Sequence, residues 1–439
     1  MVQSSSRWGK LDNTAHLFPA ISTKRTTNVF RQSVVLTENI EPLILQLALE
    51  KVIKLFPAFK VRLRNGFFWY YLEENLQKLP LVKKEDDYPC TKLPQPSDNG
   101  YLFKVSCWKK RINVEFFHIL TDGTGAQNFL QELVLHYIAF LHPEIQQFSE
   151  GYLGTDTSLN REDSFFKNYK AVNHKESKKV NATTYTKEKN LYSEIYHCSG
   201  EEIFYPRFSV IHGFFSLSKI KELAKKESAT LNEYLTSVYI WCLYCDQLSQ
   251  GDCTKEIVIA IPVNLRPWFN SITTKNFFVM AFAKFKPTNQ NHTFKDVLLA
   301  VKQSLANEIT KDKFETTLSW NVSNEKSILK ALVPLRLKNI GLRFIYKHTA
   351  QNTTSTASNF GSLQIPEKFK PYITSFHGIL PISYKQPIRV VFSSYQDTFC
   401  VTFSSVLEST SIQQRFFSFL AKQNLTVTIE TNGEYNGSM

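Results

Sequence analysis

Long apolar runs are missing from this sequence of 439 residues, and their absence removes several classes of protein. No window approaches the roughly 18 unbroken apolar residues of a membrane-spanning helix, so we expect no transmembrane segment. The opening residues, MVQSSSRWGKLDNTAHLF, contain no apolar stretch of the signal-peptide type. We therefore expect a cytoplasmic protein.

Cysteine is scarce, and its spacing does not indicate a metal centre. The seven cysteines form an odd, scattered set. Cys242 and Cys245 make one C-x-x-C, but they lie inside YLTSVYIWCLYCDQL, which has helical periodicity and no second Cys/His pair nearby. Structural zinc sites need four ligands, and redox pairs favour a strand-to-helix turn. We interpret both cysteines as core residues and expect no metal.

Basic residues are in excess, but the sequence has no nucleic-acid-binding motif. The formal net charge is +13, with Lys and Arg spread along the chain in small clusters such as Lys109-Lys110-Arg111. No helix-turn-helix, zinc-finger or RNP-like string accompanies them. A solvated Lys-rich surface explains the charge, and the main alternative is a small anionic ligand such as a nucleotide-bearing cofactor. We expect no nucleic-acid partner.

Aromatic residues are abundant: 35 Phe and 19 Tyr, within an apolar fraction of 43%. Such a composition can bury a large core and excludes global disorder. The chain is longer than one ordinary domain, which favours two sub-domains.

The first half alternates strand and helix patterns. FRQSVVL is typical of a strand, and Pro42 then opens a helix that continues to Phe56. FKVRLRNGFFWYYL predicts a hairpin that turns at Asn65-Gly66, with Trp69, Tyr70 and Tyr71 in core and hairpin packing. YLFKVSCWKKRINVEFF predicts a second hairpin, and GAQNFLQELVLHYIAFL an amphipathic helix that ends near Leu141.

The second half repeats this mixture after a polar stretch. Residues 142–205 are charged and poor in aliphatics, which indicates a crossover or linker. Beyond it we predict a helix capped by Ser218 and a second helix that begins at the capping box TLNE. Strands are predicted in EIVIAIPVNLRPWF and NFFVMAFAKF, followed by helices near 293–307 and 324–338. A hairpin at 388–405 and a late helix complete this half.

This order of elements predicts two related α+β sub-domains, each a mixed sheet with helices. We place the first in residues 1–150, a crossover in residues 151–205 and the second in residues 206–439.

One histidine stands where a strand gives way to a helix. In FFHILTDGTG, His118 ends an apolar strand and Asp122-Gly123 follows four residues later, with Gly123 and Gly125 allowing the turn into the helix. Imidazole titrates near neutral pH, so His118 can act as a general base toward a hydroxyl or amine that attacks an activated acyl group. Asp122 either orients the imidazole or pairs with an arginine, and spacing alone does not decide between them.

Two other segments carry suitable side chains. IPVNLRPWF places Asn264 and Arg266 where a strand becomes a loop, and an arginine there can clamp a carboxylate through two hydrogen bonds. TSTASNFGS has the composition of a hydroxyl-rich turn and could present a hydroxyl to an oxyanion. The alternatives are an exposed surface arginine and an ordinary Ser/Asn/Gly loop.

Taken together, these segments resemble the superfamily of coenzyme A-dependent acyltransferases. It includes chloramphenicol acetyltransferase, dihydrolipoamide acyltransferases, plant BAHD acyltransferases and peptide-synthetase condensation domains, and the greatest similarity is to bacterial alcohol O-acetyltransferase-type proteins. The resemblance covers most of the chain and rests on WGKLDNTAHLFPA, FPAFKVRLRNGFFWYYL, FFHILTDGTG, PVNLRPWF with KNFF, and SNFG.

The resemblance implies a role for each matching residue. The family motif is His-His-x-x-x-Asp-Gly; Phe117 replaces the first histidine here, and His118 matches the catalytic one. It implies that Asp122 and Arg266 pair to hold the loop, and that Ser358 donates to the oxyanion. Asn264, Asn359 and Gly361 are expected along the donor and acceptor channel. The plant Asp-Phe-Gly-Trp-Gly motif is absent, and NFGS stands at about that point.

The resemblance implies acyl transfer in a channel between the two sub-domains. Two halves in one chain would build that site within a monomer. The donor would be acetyl-CoA or another acyl-CoA, and the acceptor a small-molecule alcohol or amine, with no metal. An acyl-carrier protein with its phosphopantetheine arm is the alternative donor. A non-catalytic binding protein of the same fold is the third hypothesis.

Overall fold

The computed structural model describes residues 8–145, 162–169, 195–249, 254–288, 291–330 and 333–433. The strands in these ranges are β1 (Trp8–Lys10), β2 (Val29–Leu36), β3 (Val61–Asn65), β4 (Tyr70–Glu74), β5 (Lys83–Lys84), β6 (Phe103–Trp108), β7 (Arg111–Phe117), β8 (Ser209–Ser216), β9 (Ile257–Asn264), β10 (Phe278–Phe285), β11 (Ser355–Ser362), β12 (Ile373–Ile379), β13 (Ile388–Tyr395), β14 (Thr398–Ser405) and β15 (Thr428–Thr431).

The helices of the described ranges differ widely in length. They are α1 (Phe18–Ile21), α2 (Pro42–Leu55), α3 (Gly123–Leu141), α4 (Ser164–Lys167), α5 (Leu217–Lys226), α6 (Leu231–Ser249), α7 (Arg266–Phe269), α8 (Phe294–Glu308), α9 (Lys311–Lys330), α10 (Leu335–Ala350) and α11 (Ser411–Ala421). Local chemistry sets several starts: Pro42 opens α2, and the Asp122 carboxylate accepts from the Gly125 amide to cap α3.

The strands form two large sheets and a small one. A five-stranded sheet has the order β12-β2-β7-β6-β5, and a seven-stranded sheet the order β10-β9-β11-β13-β14-β8-β15. Strand β11 lies parallel to β9 and β13, whereas β2, β7 and β12 pair antiparallel. Each sheet has its own hydrophobic core, and β1, β4 and β3 form the small sheet. The predicted mixed α+β class with two sheet-based halves is confirmed.

Strand β12 crosses between the halves. It lies late in the chain, yet it pairs with β2, with Phe376 opposite Val34 and Gly378 opposite Gln32. It also packs against β13 and β14 of the seven-stranded sheet. The sheet that carries His118 is therefore completed by a strand from the second half. The predicted limits of the sub-domains and of the 151–205 crossover stay predictions, and much of that crossover lies outside the described residues.

Several local predictions were wrong. TSTASNFGS is mostly strand β11 and not a turn, because the hydroxyls that suggested a turn are bonded inside the sheet: the Ser355 hydroxyl donates to the Ile388 carbonyl at 2.6 Å. Helix is present near 324–338 as predicted, but it belongs to two helices, α9 and α10, with Pro334 directly before α10. Ser216, and not Ser218, caps α5 by accepting from the Lys219 amide at 3.3 Å.

The first hairpin also differs from its prediction. A loop joins its two strands, and within this loop the Gly66 amide donates a hydrogen bond to the Trp69 carbonyl at 2.9 Å. The predicted two-residue turn at Asn65-Gly66 is not formed. Trp69 is 45% exposed rather than packed in the core.

The C-x-x-C and the TLNE box conform to their predictions. Cys242 is buried on α6, and burial raises the pKa of its thiol well above the usual value, as expected of a packing residue. Thr230 and Glu233 bond each other's backbone amides at 2.7 and 3.2 Å at the start of α6.

Candidate active site

His118 lies in the turn that follows β7, with one ring face against aromatic side chains. Its backbone amide donates to the Asn28 carbonyl at 2.9 Å, which fixes the turn to the start of β2. The Phe18 ring stacks on the imidazole with 4.6 Å between centroids and 20° between planes. Phe30 and Phe278 lie 5.0 and 5.6 Å away. The imidazole is thus partly enclosed by apolar groups from three segments.

This enclosure affects the protonation of His118. Burial lowers the pKa of the imidazole below its usual value, while the negative charge of Asp122 and a hydrogen bond to Asn276 oppose that shift. Since burial is the largest of these effects, the ring is neutral at neutral pH. A neutral imidazole is the form that can accept a proton from a substrate.

Asn276 determines which imidazole nitrogen carries the proton. Its Nδ2 group donates to the His118 carbonyl and to Asp12 Oδ2, each at 2.9 Å. Both partners accept, so the amide orientation is fixed, and Oδ1 is the atom that faces His118 Nδ1 at 2.9 Å. Nδ1 must therefore be the protonated nitrogen. Among the described residues, no hydrogen-bond partner occupies His118 Nε2, whose lone pair is left for a substrate.

The Asp12 carboxylate holds Asn276 in the orientation that faces His118. Its Oδ1 accepts from the Ala15 amide at 2.8 Å, and its Oδ2 accepts from both the backbone and side-chain nitrogens of Asn276. Burial raises the pKa of Asp12 to about 7, against the lowering effect of these hydrogen bonds. Neither Asp12 nor Asn276 was predicted as a site residue, although both lie in segments, WGKLDNTAHLFPA and KNFF, that carry the family resemblance.

Asp122 and Arg266 form a buried, two-pronged ion pair. Arg266 Nη1 donates to Asp122 Oδ2 at 2.9 Å, and Nη2 to Oδ1 at 3.0 Å. The arginine also donates to the carbonyls of Thr273 and Lys275, and Asp122 Oδ2 accepts from the Phe277 amide at 2.8 Å. All these contacts hold the backbone that leads to Asn276. The pairing of Asp122 with an arginine, which the resemblance implied, is present, and the exposed-arginine alternative is excluded.

The motif glycines are required for space and not for their torsion angles. Neither Gly123 nor Gly125 has a positive φ. A β-carbon at Gly125 would lie 2.2 Å from both the Thr121 hydroxyl and the Thr274 carbonyl oxygen. At Gly123 it would meet the Phe360 ring at 3.2 Å. The expectation that these glycines ease a turn is therefore replaced by close approach of neighbouring segments.

Ser358 lies in β11, which approaches the histidine turn through Phe360. The Phe360 ring contacts the start of α3 at Gly123 and lies 6.2 Å from Phe30, which itself borders His118. Ser358 is buried and two residues from Phe360, so strand alternation directs both side chains to the same side of β11. No direct contact joins Ser358 to His118 in the described structure.

The three predicted channel residues lie in two places. Asn264 Oδ1 accepts from the backbone amide and Nη1 of Arg266, each at 3.1 Å, so this side chain supports the ion pair. Asn359 is exposed and accepts from the Gly361 amide at 2.8 Å. Gly361 has a φ of +74°, a left-handed conformation at which a side chain would be strained.

A large cleft is lined by residues of both halves, and none of the site residues described above lines it. Its volume is about 920 Å³, and its cationic lining residues are Lys24, Arg25, Lys92, Arg207 and Lys385. Acidic residues in the lining are Asp87 and Glu202. Thr27 also lines it, and the next residue, Asn28, holds the His118 amide. Cationic side chains therefore outnumber acidic ones in the lining, and the cleft is next to Asn28 along the chain.

Within the described ranges no helix is both long and apolar enough to cross a membrane, and no group of three or more His, Cys, Asp or Glu side chains is placed to hold a metal ion.

Comparison with known protein families and with curated proteins returned no match. Solved structures, in contrast, match along nearly the whole chain. The first condensation domain of the calcium-dependent antibiotic synthetase, in complex with a substrate analogue, is 13% identical with a TM-score of 0.66, covering 97% of this chain and 100% of that one.

Two further structures extend the comparison. The trichothecene 15-O-acetyltransferase of Fusarium sporotrichioides is 12% identical with a TM-score of 0.60 and 96% coverage of both chains. A mutant starter condensation domain of rhizomide synthetase, in complex with C8-CoA, is 14% identical with a TM-score of 0.62 and 94% coverage of both. The chain therefore has the fold of condensation domains and coenzyme A-dependent acyltransferases, as the resemblance predicts. Its special similarity to alcohol O-acetyltransferases stays a prediction.

Proposed function

We propose that this protein is an acyltransferase that moves an acyl group, acetyl in the simplest case, from coenzyme A to the hydroxyl or amine of a small acceptor. The observation that carries the proposal is the Asp12–Asn276–His118 hydrogen-bond chain, which leaves Nε2 of a neutral imidazole as a base. An isolated histidine with either nitrogen protonated would not be prepared in this way.

The reaction we propose has two steps. Nε2 of His118 removes the acceptor proton as the acceptor oxygen or nitrogen attacks the thioester carbonyl, and the Ser358 hydroxyl donates to the resulting oxyanion. The intermediate then collapses, the carbon–sulfur bond breaks, and the coenzyme A sulfur leaves with the proton returned by His118. One well-placed base supplies a factor of about 10²–10⁴, and one oxyanion donor about 10²–10³.

Charge supports coenzyme A as the donor. Coenzyme A carries a pyrophosphate and a further phosphate on its ribose, and the basic lining of the 920 Å³ cleft suits these anions. Replacement of the exposed Lys92 and Lys385 by alanine should raise KM for acyl-CoA and leave KM for the corresponding acyl-pantetheine, which lacks the phosphates. Turnover only with a loaded carrier protein, and not with acyl-CoA, would instead assign the phosphopantetheine donor.

The first experiment compares the wild type with His118→Ala. Calorimetric titration with acetyl-CoA should give similar affinities, because Nε2 acts on the acceptor. Release of the coenzyme A thiol, measured across a panel of primary alcohols and amines, should fall about 10²–10⁴-fold in the variant. His292→Ala, which alters a histidine of the loop before α8, is the matched control. Unchanged turnover in His118→Ala would overturn the proposal. If neither the wild type nor the variant binds acetyl-CoA, this donor is excluded.

A further inference from the structure

Helix α10 turns an apolar stripe outward. Leu337, Ile340, Phe344 and Ile345 are 57%, 62%, 74% and 56% exposed. The first three recur at i, i+3 and i+7, the spacing by which a helix normally faces a hydrophobic core. No residue of this helix is buried.

The other side of α10 is fixed to the protein by specific contacts. Asn339 Nδ2 donates to the Tyr70 hydroxyl at 2.7 Å. The hydroxyls of Tyr346 and Ser383 lie 2.7 Å apart near the opposite end of the helix. Because both ends are anchored through the inward face, the exposure of the stripe is a built property of the fold.

The stripe continues onto the first hairpin. Phe67 and Trp69, in the loop between β3 and β4, are 72% and 45% exposed. The Leu335 amide donates to the Phe67 carbonyl at 2.8 Å, so the loop adjoins the start of α10. We call the six exposed residues Phe67, Trp69, Leu337, Ile340, Phe344 and Ile345 the apolar patch. Among the described residues, none covers it.

The charged residues of α10 are all basic, and Arg336 and Lys347 are exposed beside the apolar stripe. The sequence of α10, LRLKNIGLRFIYKHTA, contains Arg336, Lys338, Arg343 and Lys347 and no acidic residue. A two-fold contact with a second copy would bring these cations against their own images, which disfavours self-association through this face. A binding partner whose surface is both anionic and apolar would complement both the cations of α10 and the apolar patch. A lipid bilayer with acidic headgroups has that combination.

We propose that the apolar patch and the cations of α10 dock the protein peripherally on an anionic lipid bilayer. Phe67, Trp69 and the α10 stripe enter the region between headgroups and acyl chains, while Arg336 and Lys347 meet lipid phosphates. The overall charge of +13 adds to this attraction. The proposal does not depend on the acyl-transfer chemistry.

Helix α10 packs against α1, and Arg343 Nε donates to the Ala20 carbonyl at 2.6 Å. A cavity of about 170 Å³ lies beside the inner face of α10 and is lined in part by Trp69, Leu342 and Leu17. The residue after Leu17 is Phe18, whose ring stacks on His118. The inner side of α10 is thus connected to the segment that carries Phe18, whereas the apolar patch lies on the outer side.

Sedimentation with vesicles tests the proposal on the full chain. Wild type should bind phosphatidylcholine vesicles that contain phosphatidylglycerol about tenfold or more tightly than vesicles of phosphatidylcholine alone, and added NaCl should weaken binding. The double variant Ile340→Asp/Phe344→Asp should lose binding by about 100-fold, since two apolar side chains no longer insert. Arg336→Glu/Lys347→Glu should lose it by at least about tenfold.

Leu43→Asp on α2 is the matched control, because Leu43 is 82% exposed and lies outside the apolar patch. It should bind as the wild type does. Binding that survives both patch variants, or a wild type that binds neither kind of vesicle, overturns the proposal. So does a concentration-dependent dimer that Phe344→Asp dissociates in the absence of any vesicle binding, a result that assigns the face to a second copy. All the substituted side chains are exposed, and thermal melting checks that each variant folds.

Discussion

Replacement of Asn276 by leucine would test whether this amide sets the protonation of His118. Leucine has a similar volume but removes the 2.9 Å contact to Nδ1 and the 2.9 Å bond to the His118 carbonyl. Two such bonds contribute about 1–3 kcal/mol to holding the imidazole in its reactive position and protonation state. If this free energy is lost from the transition state, kcat falls about 5- to 150-fold. KM for acyl-CoA should change little, because Asn276 contacts the nitrogen of His118 that faces away from the substrate.

The pH dependence gives a sharper result. The hydrogen bond that His118 Nδ1 donates to Asn276 Oδ1 raises the pKa of His118, against the larger lowering effect of burial. Its removal must lower that pKa further. A base works only while deprotonated, so the acid limb of kcat/KM should move to lower pH in Asn276→Leu. General loosening of the fold would reduce activity without moving the limb in this direction.

The assay is thiol release from acyl-CoA between acidic and neutral pH, with melting curves for every protein. Asn75→Leu is the control: Asn75 is a fully buried amide that donates to the Asn99 carbonyl at 3.0 Å and accepts from the Gln77 amide at 3.1 Å, away from the site. It should cost about 1–3 kcal/mol of stability and leave the limb in place. The reasoning would be refuted if Asn276→Leu had a kcat within about twofold of the wild type and the acid limb of its kcat/KM profile stayed at the wild-type pH.

Other consequences can be checked in the same way. The acid limb of wild-type kcat/KM should lie below pH 6.5, the ordinary imidazole value, because burial lowers the pKa of His118; a limb above that value would contradict the geometry. Arg266→Met should lower the free energy of unfolding in urea by about 3–5 kcal/mol, since it leaves the buried Asp122 carboxylate without its partner. Gly125→Ala should prevent stable folding, because its β-carbon would lie 2.2 Å from a carbonyl oxygen. Gly341→Ala has open space at the new methyl group and should stabilise α10 by about 0.5–1 kcal/mol.

The histidine turn and its ion pair could be read from the sequence because their signals are local. His118, Asp122 and Gly123 fall within six residues, and the strand before them and helix after them have clear periodicity. Arg266 lies 144 residues from Asp122 and could be paired with it only through the family resemblance. Composition and spacing alone left the role of Asp122 open.

The two residues that hold His118 through hydrogen bonds, Asp12 and Asn276, could not be predicted from local signals. Asp12 and Asn276 are 264 residues apart, and Asn276 is 158 residues from His118. Neither stands in a chemical motif, and their proximity arises only when the segment before β10 is folded against the turn after β7. Strand β11 was mistaken for a turn because Ser, Thr, Asn and Gly favour turns when their polar groups face water, whereas in a parallel sheet neighbouring strands satisfy them.

The crossing of β12 also constrains how the chain is made. Synthesis runs from the N-terminus, so the first 140 residues, with His118 among them, emerge long before the strand at Ile373–Ile379 exists. Until then β2 is the open border of its sheet, and an unpaired border strand is a template for joining other chains. A nascent chain stalled before β12 would therefore be prone to aggregate and would need protection by chaperones. The sheet that carries His118 can be completed only when most of the polypeptide has left the ribosome.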